Sequence, residues 1–295
     1  LMSFKIITDS ASDMPQWIID KYDLLVIPTP VVIDGVDHFD RKDIFPETFY
    51  DVLRSGINIS TYHINEHMFR EAFEPYAKRG DEVLYICFST GIAGTFGAAN
   101  LAKDDLLEIY PDFKITIIDS KCASMGYGLI VYKLLKMQEN GAPEELIIEA
   151  AKFFCAHAEH SVTVETLDYL LKGGRISKTA ATFGSILGIK PIIAVNSDGV
   201  LTAIEKVRGR KASIERIIER TGEVGCHLES QVIAVVHADC ADTAGEIKKE
   251  LIKRYHCRDV IIGEIGCAIG AHIGPGALGI VCQAAMDTRF ENYLK

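Results

Sequence analysis

Nowhere in the 295 residues is there an uninterrupted apolar run approaching the roughly 18 to 20 residues that a membrane-spanning helix needs. The opening residues, Leu1-Met2-Ser3-Phe4-Lys5, show no charged segment leading into an apolar one, so nothing there reads as an export signal. A soluble, cytoplasmic protein without an integral membrane segment is expected. Cationic excess is missing as well: 31 Lys and Arg stand against 41 Asp and Glu, a net charge of −10, with the two signs interspersed. Such a chain repels a phosphate backbone instead of releasing its counterions, which argues against a nucleic-acid partner. The eight cysteines (Cys87, Cys122, Cys155, Cys226, Cys240, Cys257, Cys267, Cys282) include no Cys-x-x-Cys pair and no compact disulfide spacing. They fit small buried hydrophobes in a reducing compartment. Internal repeats, low-complexity tracts and long flexible linkers are likewise absent.

What is present is a globular composition, 48% hydrophobic, with short β-rich runs alternating with amphipathic stretches. In the first half this order is that of a parallel sheet flanked by helices. Phe4 to Ile7 reads as the first strand and Pro15 to Tyr22 as the first helix, with Asp13 as its N-cap and Pro15 in its first turn. Leu24 to Ile33 is a second apolar run ending at the Asp34-Gly35 turn. Val83 to Phe88 and Ile115 to Ile118 read as buried strands, each followed by a helix, near 95–109 and 126–139. After a helix near 143–157 the pattern changes. Ser161 to Thr166 reads as a strand, and Ile192 to Asn196 with Val200 to Lys206 as a hairpin closed by Asp198-Gly199. Helices near 212–220 and 243–255 then alternate with strands Gln231 to His237 and Asp259 to Ile265. The expected fold class is α/β with two domains. The N-terminal parallel-sheet domain spans 1–160, with segment 276–295 as a candidate addition to it; the C-terminal α+β domain, 161–275, has a mixed or antiparallel sheet.

Four segments carry polar chemistry. In Tyr85 to Thr95 a strand passes through Ser89-Thr90-Gly91-Ile92-Ala93-Gly94 into a helix. Strand ends of α/β sheets bind ligands, glycine lets a backbone approach closely, and unpaired N–H groups at a helix start favour an anion. The spacing is neither that of a P-loop nor that of a dinucleotide fingerprint, and a plain tight turn is the alternative. Ser60-Thr61-Tyr62-His63 precedes a helical pattern from about Asn65 to Tyr76, so Ser60 or Thr61 is either an N-cap or a ligand-facing hydroxyl. His272, among the four glycines of Gly270 to Gly279, is a buried structural histidine or a site residue. Lys172-Gly173-Gly174-Arg175-Ile176-Ser177 is a glycine turn projecting Arg175, most simply a helix C-cap followed by a new helix.

Ile7-Thr8-Asp9-Ser10-Ala11-Ser12-Asp13, the loop from Ser89 to Thr95, the Gly173-Gly174-Arg175-Ile176 turn and the Gly270 to Gly279 tail together resemble the DegV family of fatty-acid-binding proteins. The match runs in order over nearly the whole chain. The resemblance implies a monomeric two-domain carrier, not an enzyme, with no cofactor or metal. It would hold one long-chain fatty acid between its domains and present the carboxylate to a separate ATP-dependent fatty-acid kinase. It implies that Thr61 meets the carboxylate, that backbone N–H groups of Ala93 and Gly94 anchor it, and that His272 completes the polar network. Ser60, Ser89 and Thr90 stand as supporting residues, and Arg175 as a residue of partner docking or of the pocket entrance. Two positions depart from the family pattern: Ser60-Thr61-Tyr62-His63 replaces a Thr-Ser-Gln-Pro-like run, and Ala93 replaces a serine, leaving only backbone donors there. Energetically, about fourteen buried methylenes at roughly 0.8 kcal/mol each supply on the order of 11 kcal/mol before binding costs. An unpaired buried carboxylate would subtract several kcal/mol, hence the need for donors at the closed end.

Rival readings exist. His63-Ile64-Asn65-Glu66-His67 fits H-x-x-E-H, the pattern of a zinc-dependent hydrolase with His63, Glu66 and His67, although no third ligand follows. Ser89 and Ser124 lack the G-x-S-x-G elbow of a serine hydrolase. A non-lipid scaffold protein would leave the cavity empty.

Overall fold

Strand β1 (Phe4–Asp9) is buried at every position except Lys5, as befits an inner strand of a parallel sheet covered on both faces. In the computed structural model, which describes residues 3–177 and 188–295, β1 lies between β2 (Leu25–Ile27) and β6 (Glu82–Cys87), with β7 (Ile115–Asp119) beyond β6 and all neighbours parallel. A small antiparallel sheet, β3 (Pro30–Ile33), β4 (Val36–Phe39) and β5 (Ile59–Thr61), sits beside it. Its first hairpin turns on Asp34-Gly35, both at positive φ (49° and 80°), the twist that a two-residue hairpin requires.

The second large sheet has the order β10-β9-β8-β13-β11-β12, formed by β8 (Ala158–Thr163), β9 (Ile189–Val195), β10 (Leu201–Arg208), β11 (Val232–His237), β12 (Asp259–Glu264) and β13 (Leu278–Gln283). Only β11 and β12 pair in parallel, so the sheet is mixed, as expected.

Three apolar layers separate these sheets from solvent and from each other. Helices α3 (Glu66–Arg79) and α4 (Thr95–Ile109) cover the outer face of the first sheet, with Phe69, Phe73 and Ala77, one helical turn apart, against Ile7, Val83 and Tyr85. Helices α8 (Arg210–Val224) and α9 (Ala241–Tyr255) cover the second sheet through Ile217, Ile218, Ile247 and Leu251 against Ile233 and Val235. The alternate residues of β11, Ala234 and Val236, face inward. Between the sheets runs α5 (Met125–Glu139), buried around nearly its whole circumference and packed on β1, β6, β8, β11 and β13. None of the described helices is long and apolar enough to cross a membrane.

Several local expectations are corrected. Helix α1 (Gln16–Tyr22) starts after Pro15, and Asp13 does not cap it: Asp13 adopts a left-handed conformation, is fully buried, and receives hydrogen bonds from the Gly266 N–H and the Ser124 hydroxyl. The apolar run 24–33 divides into β2 and β3 of different sheets, because Pro28 and Pro30 lack the N–H groups that one continuous ladder needs. Helix α3 is capped by Asn65, whose side chain accepts from the Met68 N–H, so neither Ser60 nor Thr61 is a cap. Strand β8 begins at Ala158, opposite Gln283, earlier than expected. Strand β13 inserts between β8 and β11, so that part of 276–295 belongs to the second sheet, while Phe290 packs on Phe153 and Phe154 of α6 (Glu144–Ala156). The helix expected after Ser177 lies outside the described residues.

Candidate functional site

Strands of the first sheet end at Asp9 and, just beyond the last strand residues, at Phe88 and Ala123-Ser124; these ends face the inner side of the second sheet across a cavity of about 310 Å³. Its walls are apolar: Phe88 and Ile92 from the first sheet's loops, and Val162, Ile193, Val195, Leu201, Val236 and Val281 from the second sheet. Ile269 and Ile273 of α10 (Cys267–Ile273) and Leu170 of α7 (Asp168–Lys172) complete them.

Polar groups converge at one place on this wall. The pairing of β5 with β3 sets Thr61 opposite Val31 at the strand end, and the last turn of α10 delivers His272, so that Thr61 Oγ1 and His272 Nε2 lie 2.6 Å apart. The His63 ring rests on Gly94, where a Cβ would come within 3.1 Å of it. Arg175 also lines the cavity, half-buried, with Nη1 donating to the Gly173 carbonyl at 2.5 Å. The outward projection expected for Arg175 is therefore not what the fold provides. Gly173 is needed for a steric reason: a Cβ there would sit 2.3 Å from His272 Nδ1, so only a glycine lets the ring occupy this position.

The loop from Ser89 to Gly94 divides differently from the expectation. The Ala93 N–H donates to the Ser89 carbonyl at 3.1 Å and is spent within the loop. Gly94 holds the N-cap position of α4, without a side-chain capping bond, and the first N–H groups of that helix have no intrahelical partner. Ser89, Thr90 and Ser60 do not line the cavity. The Ser89 hydroxyl donates to the Gly199 carbonyl at 2.8 Å and accepts from the Gly91 N–H, fastening the loop to the β9–β10 turn. Gly199, at φ 76°, admits this approach because a Cβ would fall 2.1 Å from that hydroxyl. Thr90 donates to the Asp119 carboxylate, and Ser60 is exposed on β5 opposite Val32.

The titratable groups that line the cavity include two histidines held neutral by burial, one buried carboxyl and one guanidinium. Burial pushes the His272 imidazole down to about 4, and the neighbouring charge of Arg175 pushes the same way, so the ring is neutral at pH 7. Burial likewise lowers His160 to about 4 and raises Asp9 to about 6, the latter opposed by hydrogen bonds from the Tyr127 and Tyr85 hydroxyls. Arg175 is the only Lys or Arg among the described lining residues.

The zinc pattern does not assemble. His63 precedes α3, whereas His67 lies on it, 77% exposed and paired with Glu71 at 3.3 Å. Among the described residues no three metal-ligating side chains gather. Sequence reasoning passed over Asp9, His63 and Ser124 as lining residues. The position of Asp9 at a strand end was a usable signal; the φ of 54° and ψ of −141° that aim Ser124 were not.

Fold and site define an α/β protein with a largely apolar cavity between its two large sheets and a polar group of Thr61, Arg175 and His272 on its wall. A family model described as "Uncharacterised protein, DegV family" matches residues 3–285, and the chain belongs to the DegV family. It is 36% identical over 282 residues to a DegV domain-containing protein of Clostridium perfringens, covering 95% of this chain and 97% of that one. Among solved structures it is similar to a DegV lipid binding protein from Thermotoga maritima (30% identity, TM-score 0.83, covering 97% of this chain and 100% of that one). It is also similar to a stearic-acid-binding protein from Eubacterium ventriosum (26% identity, TM-score 0.86, 95% and 98%).

Proposed function

We propose that this chain binds one long-chain fatty acid between its N-terminal and C-terminal domains. The alkyl tail lies along the apolar walls and the carboxylate at Thr61, Gly94, Arg175 and His272. The observation that carries this reading is a largely apolar cavity in which a neutral Thr61–His272 pair and the one lining guanidinium, Arg175, stand together. The lipid-binding and stearic-acid-binding relatives support it. With Nε2 protonated, His272 donates to Thr61 Oγ1 and leaves the hydroxyl proton free to donate to a carboxylate oxygen. Arg175 supplies the compensating charge and the start of α4 supplies N–H groups. Ala93 contributes no donor in this arrangement.

We further propose that the head group is presented to an ATP-dependent fatty-acid kinase. Tyr62 and His63, next to Thr61, are exposed, which puts the carboxylate end near the surface. There a carboxylate oxygen can attack the γ-phosphorus of ATP held by the partner, giving acyl phosphate and ADP, while this chain acts as carrier in a reducing, cytoplasmic setting. Its eight cysteines are free thiols, in keeping with that setting.

Native mass spectrometry of the purified chain, followed by extraction of the denatured protein, is expected to find about one fatty acid per chain. A preparation that holds none and takes none up overturns the reading. Thr61→Val, close to isosteric, is expected to weaken binding by about 1 to 3 kcal/mol, since the carboxylate loses a buried donor. Gly173→Ala tests the same network without touching it. Gly173 has φ −75°, a conformation alanine adopts freely, so the only penalty is the collision with His272. Titration is expected to show about a tenfold loss of fatty-acid affinity, and unchanged affinity would remove His272 from the site.

A further inference from the structure

Lys133 is the only Lys, Arg, Asp or Glu among the buried residues of α5, 5% exposed, with Nζ 4.8 Å from the centre of the Phe154 ring. Among the described residues no carboxylate lies within ion-pairing distance of it. A buried ammonium in that position is unfavourable unless an anion or water reaches it. Lys133 forms part of the wall of a second cleft, about 250 Å³, at the start of β11 and β12. This is the opposite end of those strands from the fatty-acid cavity, which is lined by Val236 and Ile265.

The charge around this cleft is inverted relative to the chain as a whole. The side chains that line it include Lys133, Lys136, Arg258 and Lys295 against one side-chain carboxylate, that of Asp259, in a protein of net charge −10. That carboxylate is already engaged by Lys248 Nζ at 3.3 Å and by the Val260 N–H at 2.7 Å. Lys136 pairs with Glu139 at 2.9 Å. Lys133 and Arg258 therefore face the cleft without an anionic partner among the described residues. Burial lowers the Lys133 ammonium to about 8; Glu291 opposes this by its charge, and Arg258 adds to it.

We propose that this cleft is a second binding site, for an oxyanion of the phosphate class, with Lys133 at its floor and Arg258 and Lys136 at its rim. The excess of cations matches a dianion better than a monocarboxylate, and the planar fork of Arg258 suits two oxygens at once. Inorganic phosphate and a small phosphomonoester share this chemistry. The proposal is independent of the fatty-acid reading, because neither Lys133 nor Arg258 touches the larger cavity.

Isothermal titration of the full chain with inorganic phosphate, and separately with glycerol 1-phosphate, at constant ionic strength set with sodium chloride, tests it. Saturable binding of at least one probe is expected; binding of glycerol 1-phosphate alone would assign the site to a phosphomonoester. Lys133→Met and Arg258→Gln are each expected to weaken binding by about tenfold or more, with fatty-acid affinity unchanged. Should Lys133→Met fail to fold, Arg258→Gln, on an exposed residue, carries the comparison. No saturable heat with either probe, or binding retained in full by the variants that fold, overturns the proposal.

Discussion

Ala123→Phe is expected to lower the affinity for a long-chain fatty acid by on the order of 100-fold while leaving the fold intact. Ala123 lies in the turn between β7 and α5, half-buried, and borders the cavity. A benzyl group there takes up room that the tail needs, in a space of only about 310 Å³. If the ring displaces about four methylenes, the loss is roughly 3 kcal/mol, or two decades in the dissociation constant. The effect is expected to depend on chain length, because a short acid does not reach the ring. Competition titrations with acids of increasing length measure this. Equal weakening for short and long acids would place the tail elsewhere in the cavity.

Asp13→Asn is expected to stabilise the protein at pH 8 and to change little at pH 4. Burial raises the Asp13 carboxyl from 3.8 to about 7, against the opposing charge of Arg41 and the hydrogen bonds from Ser124 and Gly266. Between those two values the folded state holds a proton that the unfolded chain has released. Stability therefore falls as pH rises from about 4 to about 7, and is flat above. The full span corresponds to about 4 kcal/mol; the gain in the variant is smaller, on the order of 1 to 3 kcal/mol, because the attraction of Arg41 is lost with the charge. Asparagine can still accept from the Gly266 N–H. Some slope persists, since burial also raises Asp9 and Asp40. Thermal melts of both proteins from pH 4 to pH 8 decide the matter: a variant that is less stable at pH 8 would mean that the ionised carboxylate holds this junction together.

Much of the architecture was legible because hydrophobic period and turn chemistry are local. The strand runs at 83–88 and 115–118 and the Asp34-Gly35 and Asp198-Gly199 turns are found where their residues place them. Boundaries failed where a tertiary contact overrode a local preference. Asp13 has the chemistry of an N-cap, yet a partner 253 positions away, Gly266, claims its carboxylate. In the candidate site, Thr61 and His272 were singled out as separate segments, and their distance of 2.6 Å could not be read from either. Ser89 and Thr90 looked equivalent to site hydroxyls because composition does not reveal direction: Ser89 is spent on Gly199 and Thr90 on Asp119. For Arg175 the glycine turn left partner docking and the pocket entrance both open, since it says that a side chain is free to project but not to which side; the side chain lines the cavity.

The burial of α5 between both sheets bears on how a ligand leaves. A protein whose two halves meet only across a cleft can open like a hinge, and its contents then escape in a single wide motion. Here the same helix is packed on β1 and β6 on one side and on β8, β11 and β13 on the other, so parting the sheets would strip apolar surface from a helix whose open surface is a narrow edge that includes Tyr132, Lys136 and Glu139. Exchange of the proposed ligand is then expected through lining segments that belong to neither sheet, among them the turns carrying His63 and Arg175. For the ligand proposed above, release is expected to follow local opening of such segments, on the timescale of loop motion, and not to track the global stability of the molecule.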